Sequence, residues 1–451
     1  MTVRLCCTCE GVLHCEGWHD LARRARAVIA SPCRSGQDDR TKTFSGRLTM
    51  GMITTALGAG LAGLMLSGAA LAQEAYLPAR GDDQWERRDA AAMGFDAEAL
   101  QGAIDFAIAN ETRHDPELEA VSPARDLTVS VPLTWAFEPH SSPIGPLAPR
   151  GAPSGVIVRG GYIVAEWGEP ERADMTFSIT KTALSHVVGL AVDDGLIASV
   201  DDAVAPYVDD ARFHTDHNAP VTWDQMLRQT SGWWGELYGK PAWADRPSRE
   251  DPASKLRAGP PEPGAAYEYN DVRVNALALA ALHVFGEELP DVFRARIMDP
   301  IGASDTWSWR PYDNAQVEIS GRAMMASTGG GHWGGGLFIS AYDLARLGLF
   351  GLHRGSWGDD RLLSDSWFEA SLTPGEHAPG YGYMNFFLNQ PDGEGPGFRV
   401  ANAPAAAFAY LGAGTNVVFV SPEHDLVVVV RWIDRLQTGA VLEQIMAAIL
   451  E

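Results

Sequence analysis

The stretch F-S-I-T-K-T-A-L-S, Phe177 to Ser185, decides the reading of this chain. Ser178 and Lys181 stand three residues apart, and the apolar positions Leu184, Val187, Val188, Leu190 and Ala191 that follow have helical spacing. Positions i and i+3 lie on one face of a helix, so this spacing puts an amine beside a hydroxyl. A serine hydroxyl is a weak nucleophile until a neighbouring base takes its proton. S-x-x-K is the shortest local arrangement that supplies both groups. The plain alternative is an N-cap serine followed by a solvated lysine.

Upstream, the run Gly155 to Trp167 holds two β-branched segments around Arg159-Gly160-Gly161 and reads as a tight hairpin leading into the Ser178 helix. Phe95 to Ile108 reads as an amphipathic helix, and residues 138 to 154, rich in Pro, Gly and Ser, as a loop. Residues 200 to 310 read as mostly helical, with Leu227 to Gly232 ending one helix and Val274 to Val284 forming another. Tyr342 to Leu352 is a further helix, and residues 417 to 432 return to strands around the turn Ser421-Pro422-Glu423-His424-Asp425. Strands near both ends with helices between predict an α+β fold. Its central antiparallel sheet is flanked by helices, with an inserted, mostly helical region at about 200–310.

The chain has 451 residues, 46% of them hydrophobic, with 35 basic and 58 acidic side chains. That suffices for a large core, and the acidic balance excludes the basic stripe of a nucleic-acid binder. All five cysteines (Cys6, Cys7, Cys9, Cys15 and Cys33) precede residue 34. Their spacing, with His14 and His19 nearby, matches no ordinary zinc pairing, so no metal and no cofactor is expected. From Met50 or Met52 a small, apolar stretch runs to Ala70-Leu71-Ala72. This A-x-A signature predicts a signal peptide over 50–72 and a periplasmic or secreted protein; an uncleaved membrane anchor is the alternative. Residues 1–49 then form an upstream extension, 73–90 a linker, and 91–451 the folded domain.

Pro263-Gly264 and then Tyr269-Asn270-Asp271 precede the helix that starts near Val272. Read alone, Asn270 and Asp271 are helix caps and Tyr267 or Tyr269 packs; a tyrosine there is also an acid/base candidate. With these elements in order, the chain resembles the serine β-lactamase and penicillin-binding-protein superfamily, and within it the class C β-lactamase-related hydrolases. The resemblance spans about 90–451. It rests on Ser178-x-x-Lys181 after a hairpin, Gln229-Thr-Ser-Gly232, Tyr269-Asn270-Asp271, Gly334 to Ser340 with Asp343, and the Pro422-Glu423 turn. It implies a β-lactamase/transpeptidase-like fold with Ser178 as nucleophile and Lys181 and Tyr269 as its acid/base partners. It puts the third family element, Lys-Thr-Gly or His-x-Gly, on Tyr410-Leu411-Gly412, or, with the register slipped, on Gly412-Ala413-Gly414. Asp271, Tyr410, Gly412 and Ala413 thereby become substrate or oxyanion candidates.

Two departures bear on substrate. Asp271 stands where the family has asparagine; an ionised carboxylate cannot donate to an acyl-amide carbonyl and instead favours a charged Lys181. Tyr410 stands where lysine or histidine is usual, and a phenol offers a substrate carboxylate only a hydrogen bond. Both disfavour penicillin or cephalosporin turnover and fit an ester, a neutral amide or a peptide-like acyl substrate. The expectation is an exported serine hydrolase working through an acyl-enzyme; a penicillin-binding sensor without turnover and a true β-lactamase are the alternatives. His214 and His217 read as solvated surface, His186 as a packed histidine, and His332 as uncommitted. Trp223, Trp233, Trp234 and Trp243 read as core or lid packing, with a cleft wall as the alternative. No G-x-S-x-G follows a strand, which disfavours a Ser-His-Asp hydrolase.

Overall fold

Two glycines open the architecture. Gly160 and Gly161 both take positive φ, +56° and +81°, and fold β1 (Ser154–Arg159) back on β2 (Tyr162–Trp167) as an antiparallel hairpin. L-residues with side chains resist two such angles in succession, which is why a glycine pair holds this turn. The computed structural model describes residues 76–81, 84–113, 138–390 and 398–450, all within one compact unit. The proposed signal segment and all five cysteines lie outside the described residues, as do residues 73–75 and 82–83 of the stretch assigned to the linker.

The two larger sheets are completed by β3 (Asp174–Met175), β4 (Ser308–Ile319), β5 (Arg322–Ser327), β6 (Gly336–Ile339), β7 (Phe408–Gly412), β8 (Asn416–Ser421) and β9 (Leu426–Arg431). The central sheet is antiparallel, in the order β7-β8-β9-β1-β2, so the late strands close onto the early hairpin. Val156, Ile157 and Val158 of β1 and Val427 to Val430 of β9 are wholly buried. Strands covered on both faces read as continuous apolar runs rather than as an alternation. Helices α1 (Ala97–Ala109), capped by Asp96, and α6 (Arg435–Ala447), capped by Asp434, bracket the described domain. Between them lie α2 (Ile179–Asp193), α3 (Trp223–Leu227), α4 (Asp271–Phe285) and α5 (Ala341–Leu352).

The inserted region departs from its mostly helical reading at its end. Ser308 to Ser327 is a long hairpin, and it joins β3 and β6 in a second sheet of order β3-β6-β4-β5. Its strands carry charged and polar residues at exposed positions, which hid the period-two signal. Trp223 and Trp233 are fully buried, so these two serve the core rather than a cleft wall.

Arg431 fastens the two sheets together. Its guanidinium is buried and donates to Asn416 Oδ1 at 2.8 Å, to Ile339 O at 2.7 Å and to Met175 O at 3.3 Å. The first partner belongs to the central sheet and the others to the second. Burial pulls its pKa down to about 10, and the nearby Asp174 works the other way. Arg431→Met leaves those acceptors buried and unpaired. We expect a loss of about 3 kcal/mol in denaturant unfolding, the magnitude of breaking a buried charged network; a variant as stable as wild type would remove Arg431 from this role.

Candidate active site

Phe177 sets the turn that carries Ser178. It is buried at φ +51°, an uncommon angle for a bulky residue, and packs edge-on to Trp432 with ring centroids 6.5 Å apart. The chain reverses there and Ser178 begins α2. Thr180 pins the turn: its hydroxyl donates to Phe177 O at 2.6 Å and accepts from Leu337 N–H of β6 at 2.9 Å. Ser178 is half-buried, and its side chain makes no cap hydrogen bond. Its Oγ instead accepts from Lys181 Nζ at 3.0 Å. This is not the capping serine with a solvated lysine, because the Lys181 side chain is 1% exposed.

Lys181 is buried against a carboxylate from a distant stretch. Its Nζ donates to Asp271 Oδ1 at 2.7 Å, and the Asp271 side chain is fully buried. Burial alone would raise the Asp271 pKa, but the charges of Lys181 and then Arg246 outweigh it and hold the carboxyl well below its usual range. Gly330 seals the pair. A Cβ there would stand 1.9 Å from Asp271 Oδ1 and 2.2 Å from Lys181 Nζ, so only a bare backbone passes. Asp271 is therefore the counter-ion behind the lysine and does not face substrate, which corrects its assignment as a substrate or oxyanion group. The physical reason is the charge itself, which finds a buried ammonium rather than the open cleft.

Tyr269 lies in front. Lys181 Nζ is 4.6 Å from its ring centroid, and Arg246 Cζ is 4.8 Å from it. Among the described residues no hydrogen bond joins its hydroxyl to Ser178 or Lys181. The segment that delivers it is clamped by Gln229, whose backbone O accepts from Glu268 N–H at 2.9 Å and whose Oε1 accepts from Asn270 N–H at 2.7 Å. Asn270 caps α4 by accepting from Val272 and Arg273 N–H. Tyr267 packs on Tyr381 instead, with centroids 5.3 Å apart.

The end of β7 closes the site from the other side. A Cβ on Gly412 would lie 1.8 Å from Thr176 O and 3.3 Å from Ser178 N, so this glycine is what lets the strand touch the nucleophile turn. Neither the Ser178 nor the Ala413 N–H donates to another group among the described residues. Tyr410 turns away. It is buried beside His186, with ring centroids 6.1 Å apart, and a Cβ on Gly351 of α5 would meet its hydroxyl at 2.3 Å. Its assignment to substrate binding is corrected accordingly: the ring satisfies the apolar space between α2 and α5. His186 is core as well, with burial pushing its pKa down to about 3. His214 and His217 hold loop carbonyls, Val208 O at 2.8 Å and Gly232 O at 3.0 Å.

The sequence reading missed a buried group of charges around Asp245-Arg246. Arg246 Nη1 is 2.6 Å and 2.8 Å from the two oxygens of Asp245. The same nitrogen lies 2.7 Å from Asp271 Oδ2, close as an ion pair but off the N–H direction. Its Nη2 meets His332 Nδ1 at 3.1 Å, and His332 Nε2 meets Glu138 Oε2 at 2.9 Å. A guanidinium only donates, so Nδ1 accepts and Nε2 carries the hydrogen. Burial, then the Arg246 charge, keeps His332 neutral by lowering its pKa. Glu138, Asp245 and His332 bring donor atoms within 4.8 Å of one another. They do not fit a metal: ligation at Nε2 would put a hydrogen on Nδ1, facing the guanidinium. No motif marks these residues, which come from separate loops.

Burial, reinforced by Asp245, raises Glu138 to about 8. A carboxyl raised in the folded state stabilises most below its unfolded value and loses that contribution as pH climbs to the folded one. Wild-type stability should thus fall by about 1 kcal/mol per pH unit between roughly pH 5 and pH 8 from this group. Glu138→Gln should flatten that slope in urea unfolding; an unchanged slope would assign it elsewhere.

Comparison with known proteins agrees with this architecture. The Beta-lactamase family model matches residues 150–435. No curated protein matches. Among solved structures, EstCE1, a hydrolase with promiscuous acyltransferase activity, is 15% identical over 79% of this chain and 98% of its own, with a TM-score of 0.50. A β-lactamase from Mycobacterium bovis is 17% identical over 66% and 95%, TM-score 0.46. A penicillin-binding protein from Bacillus halodurans is 19% identical over 66% and 94%, TM-score 0.46.

Proposed function

Since the chain belongs to the β-lactamase family, we propose that it is a serine hydrolase acting through an acyl-enzyme on an ester, a neutral amide or a peptide-like substrate. The observation that carries this reading is the 3.0 Å contact of Lys181 Nζ with the Oγ of the half-buried Ser178. The lysine's engagement with Asp271 supports a charged ammonium, which donates and cannot act as base. The acid/base role then falls to Tyr269, whose ring lies against that ammonium.

Tyr269 takes the proton from Ser178 Oγ as the oxygen lone pair bonds to the substrate carbonyl carbon. The carbonyl π electrons move onto oxygen, where the free N–H groups of Ser178 and Ala413 receive them. Collapse re-forms the carbonyl and expels the leaving group, which takes the proton from Tyr269. Water then repeats the sequence on the acyl-enzyme, with Tyr269 again accepting the proton. Tyr410 brings no charge to the cleft, which supports an uncharged acyl substrate over one held by its carboxylate.

Ser178→Ala should abolish labelling by a fluorophosphonate probe and lower hydrolysis of p-nitrophenyl acetate by about 10³-fold or more. Labelling that persists would sink the assignment. A panel of short-chain esters, linear amides, D-alanyl peptides and nitrocefin then ranks the substrate classes. A stable penicillin adduct without turnover would favour the sensor instead.

The Ala70-Leu71-Ala72 box supports export with cleavage before Gln73. No helix among the described residues is long and apolar enough to cross a membrane. The mass of the protein purified from its native host should begin at Gln73; a mass retaining residues 50–72 would favour the anchor.

A further inference from the structure

Building on the acyl-enzyme reading above, we propose that Asn416 is a positioning residue for the reaction. Its buried side chain locks the turn between β7 and β8, and so holds the Ala413 N–H where the substrate oxygen gains charge. No motif marks this residue, and it lies behind the cleft rather than in it.

The turn needs holding. Gly412, the last residue of β7, pairs with Asn416, the first of β8, and three residues connect them. Two of the three lie in succession at positive φ, Gly414 at +72° and Thr415 at +59°. Glycine adopts that region freely, whereas a β-branched threonine is an outlier there. Such a conformation persists only where the surroundings over-determine it. One side of the turn is pressed against Trp432, since a Cβ on Gly414 would stand 2.2 Å from its Cζ3. The other side is Gly412, packed on Thr176 O beside Ser178. Neither contact fixes the carbonyl of Ala413.

Asn416 supplies that hold. It is fully buried, and both ends of its amide are engaged: Nδ2 donates to Ala413 O at 2.7 Å, and Oδ1 accepts from Arg431 Nε at 2.8 Å. A guanidinium only donates, so Arg431 dictates which end of the amide faces it and leaves the NH2 group for Ala413. Arg431 is itself fixed to Ile339 O at 2.7 Å and to Met175 O at 3.3 Å, and Met175 lies three residues ahead of Ser178. A chain of hydrogen bonds therefore runs from the strand that enters the Ser178 turn, through Arg431 and Asn416, to Ala413. It ties the position of one candidate oxyanion donor to the segment that carries the other. The Ala413 N–H has no acceptor of its own among the described residues, so its direction depends on how its neighbours are held. Donors aimed in advance need no reorganisation when charge develops, and lose their value once they can swing away.

The test is Asn416→Asp, which is isosteric: it keeps an acceptor for Arg431 and removes only the donor to Ala413. Hydrolysis of p-nitrophenyl acetate is measured beside that of its thionoester, in which sulfur replaces the carbonyl oxygen. Sulfur is larger and a poorer acceptor, so the thionoester draws little help from the two N–H groups. We expect kcat on the oxygen ester to fall by about tenfold or more, with KM within about twofold of wild type. The thionoester rate should change by less than about threefold. A purely structural amide would instead weaken both reactions alike. An equal loss on the two esters, or no loss in the folded variant, overturns the proposal. If Asn416→Asp fails to fold, a crystal structure of the wild-type protein phosphonylated at Ser178 decides the matter. Its phosphoryl oxygen should lie about 3 Å from the Ser178 and Ala413 nitrogens, with the Asn416 amide still on Ala413 O. An oxygen away from Ala413, or a turn rebuilt without that bond, overturns the proposal. Failure of the underlying reading looks different and takes this proposal with it: wild-type Ser178 would not take up the phosphonate, and Ser178→Ala would hydrolyse the oxygen ester as fast as wild type.

Discussion

The buried pair between Lys181 and Asp271, 2.7 Å apart, is the constraint on which the site depends. Neither side chain reaches water, so removing one partner would leave a buried charge without its nearest counter-charge. The pair fixes α2 to the start of α4, where the Ser178 and Tyr269 segments meet. Held by that carboxylate, the Lys181 amine also donates to Ser178 Oγ. Much of the neighbouring structure serves this arrangement: a glycine backbone lies over the pair, and Arg246 approaches the second oxygen of Asp271.

The two sheets do the positioning. Closing β9 onto β1 brings late and early strands into one surface, and Arg431 ties that surface to the second sheet beside the nucleophile turn. Phe177 in a left-handed conformation and Gly412 without a side chain let the strand end and the helix start approach each other. The Ser178 and Ala413 N–H groups at that junction have no hydrogen-bond acceptor among the described residues. A turn held by Thr180 on one side and by close backbone contact on the other has little freedom to relax.

A buried cluster of Glu138, Asp245, Asp271, Arg246 and His332 is costly to desolvate, and its charges are satisfied by one another. Such a network gives little net stability. It does impose direction, since the carboxylates lie inside and both cations end at the face of Tyr269. That polarity sets the site apart from a core in which polar groups are merely paired.

The sequence by itself determined what depends on near neighbours. Residues three apart on a helix must share a face, so Ser178 beside Lys181 was legible, as were the Gly160-Gly161 hairpin, the Asn270 cap and the β-branched strands of the central sheet. The four-stranded second sheet was not, because its long hairpin lacks clean alternation. Only the tertiary structure decided which charges meet. Asp271 lies 90 residues from Lys181, and Arg246 and His332 are 86 apart, so no spacing rule links them. The fate of Tyr410 was equally closed to sequence: its register on β7 is local, but whether its hydroxyl faces the cleft or Gly351 depends on how α2 and α5 pack beneath the strand. Short-range geometry follows from covalent spacing; the pairing of buried charges follows from which distant segments exclude water together.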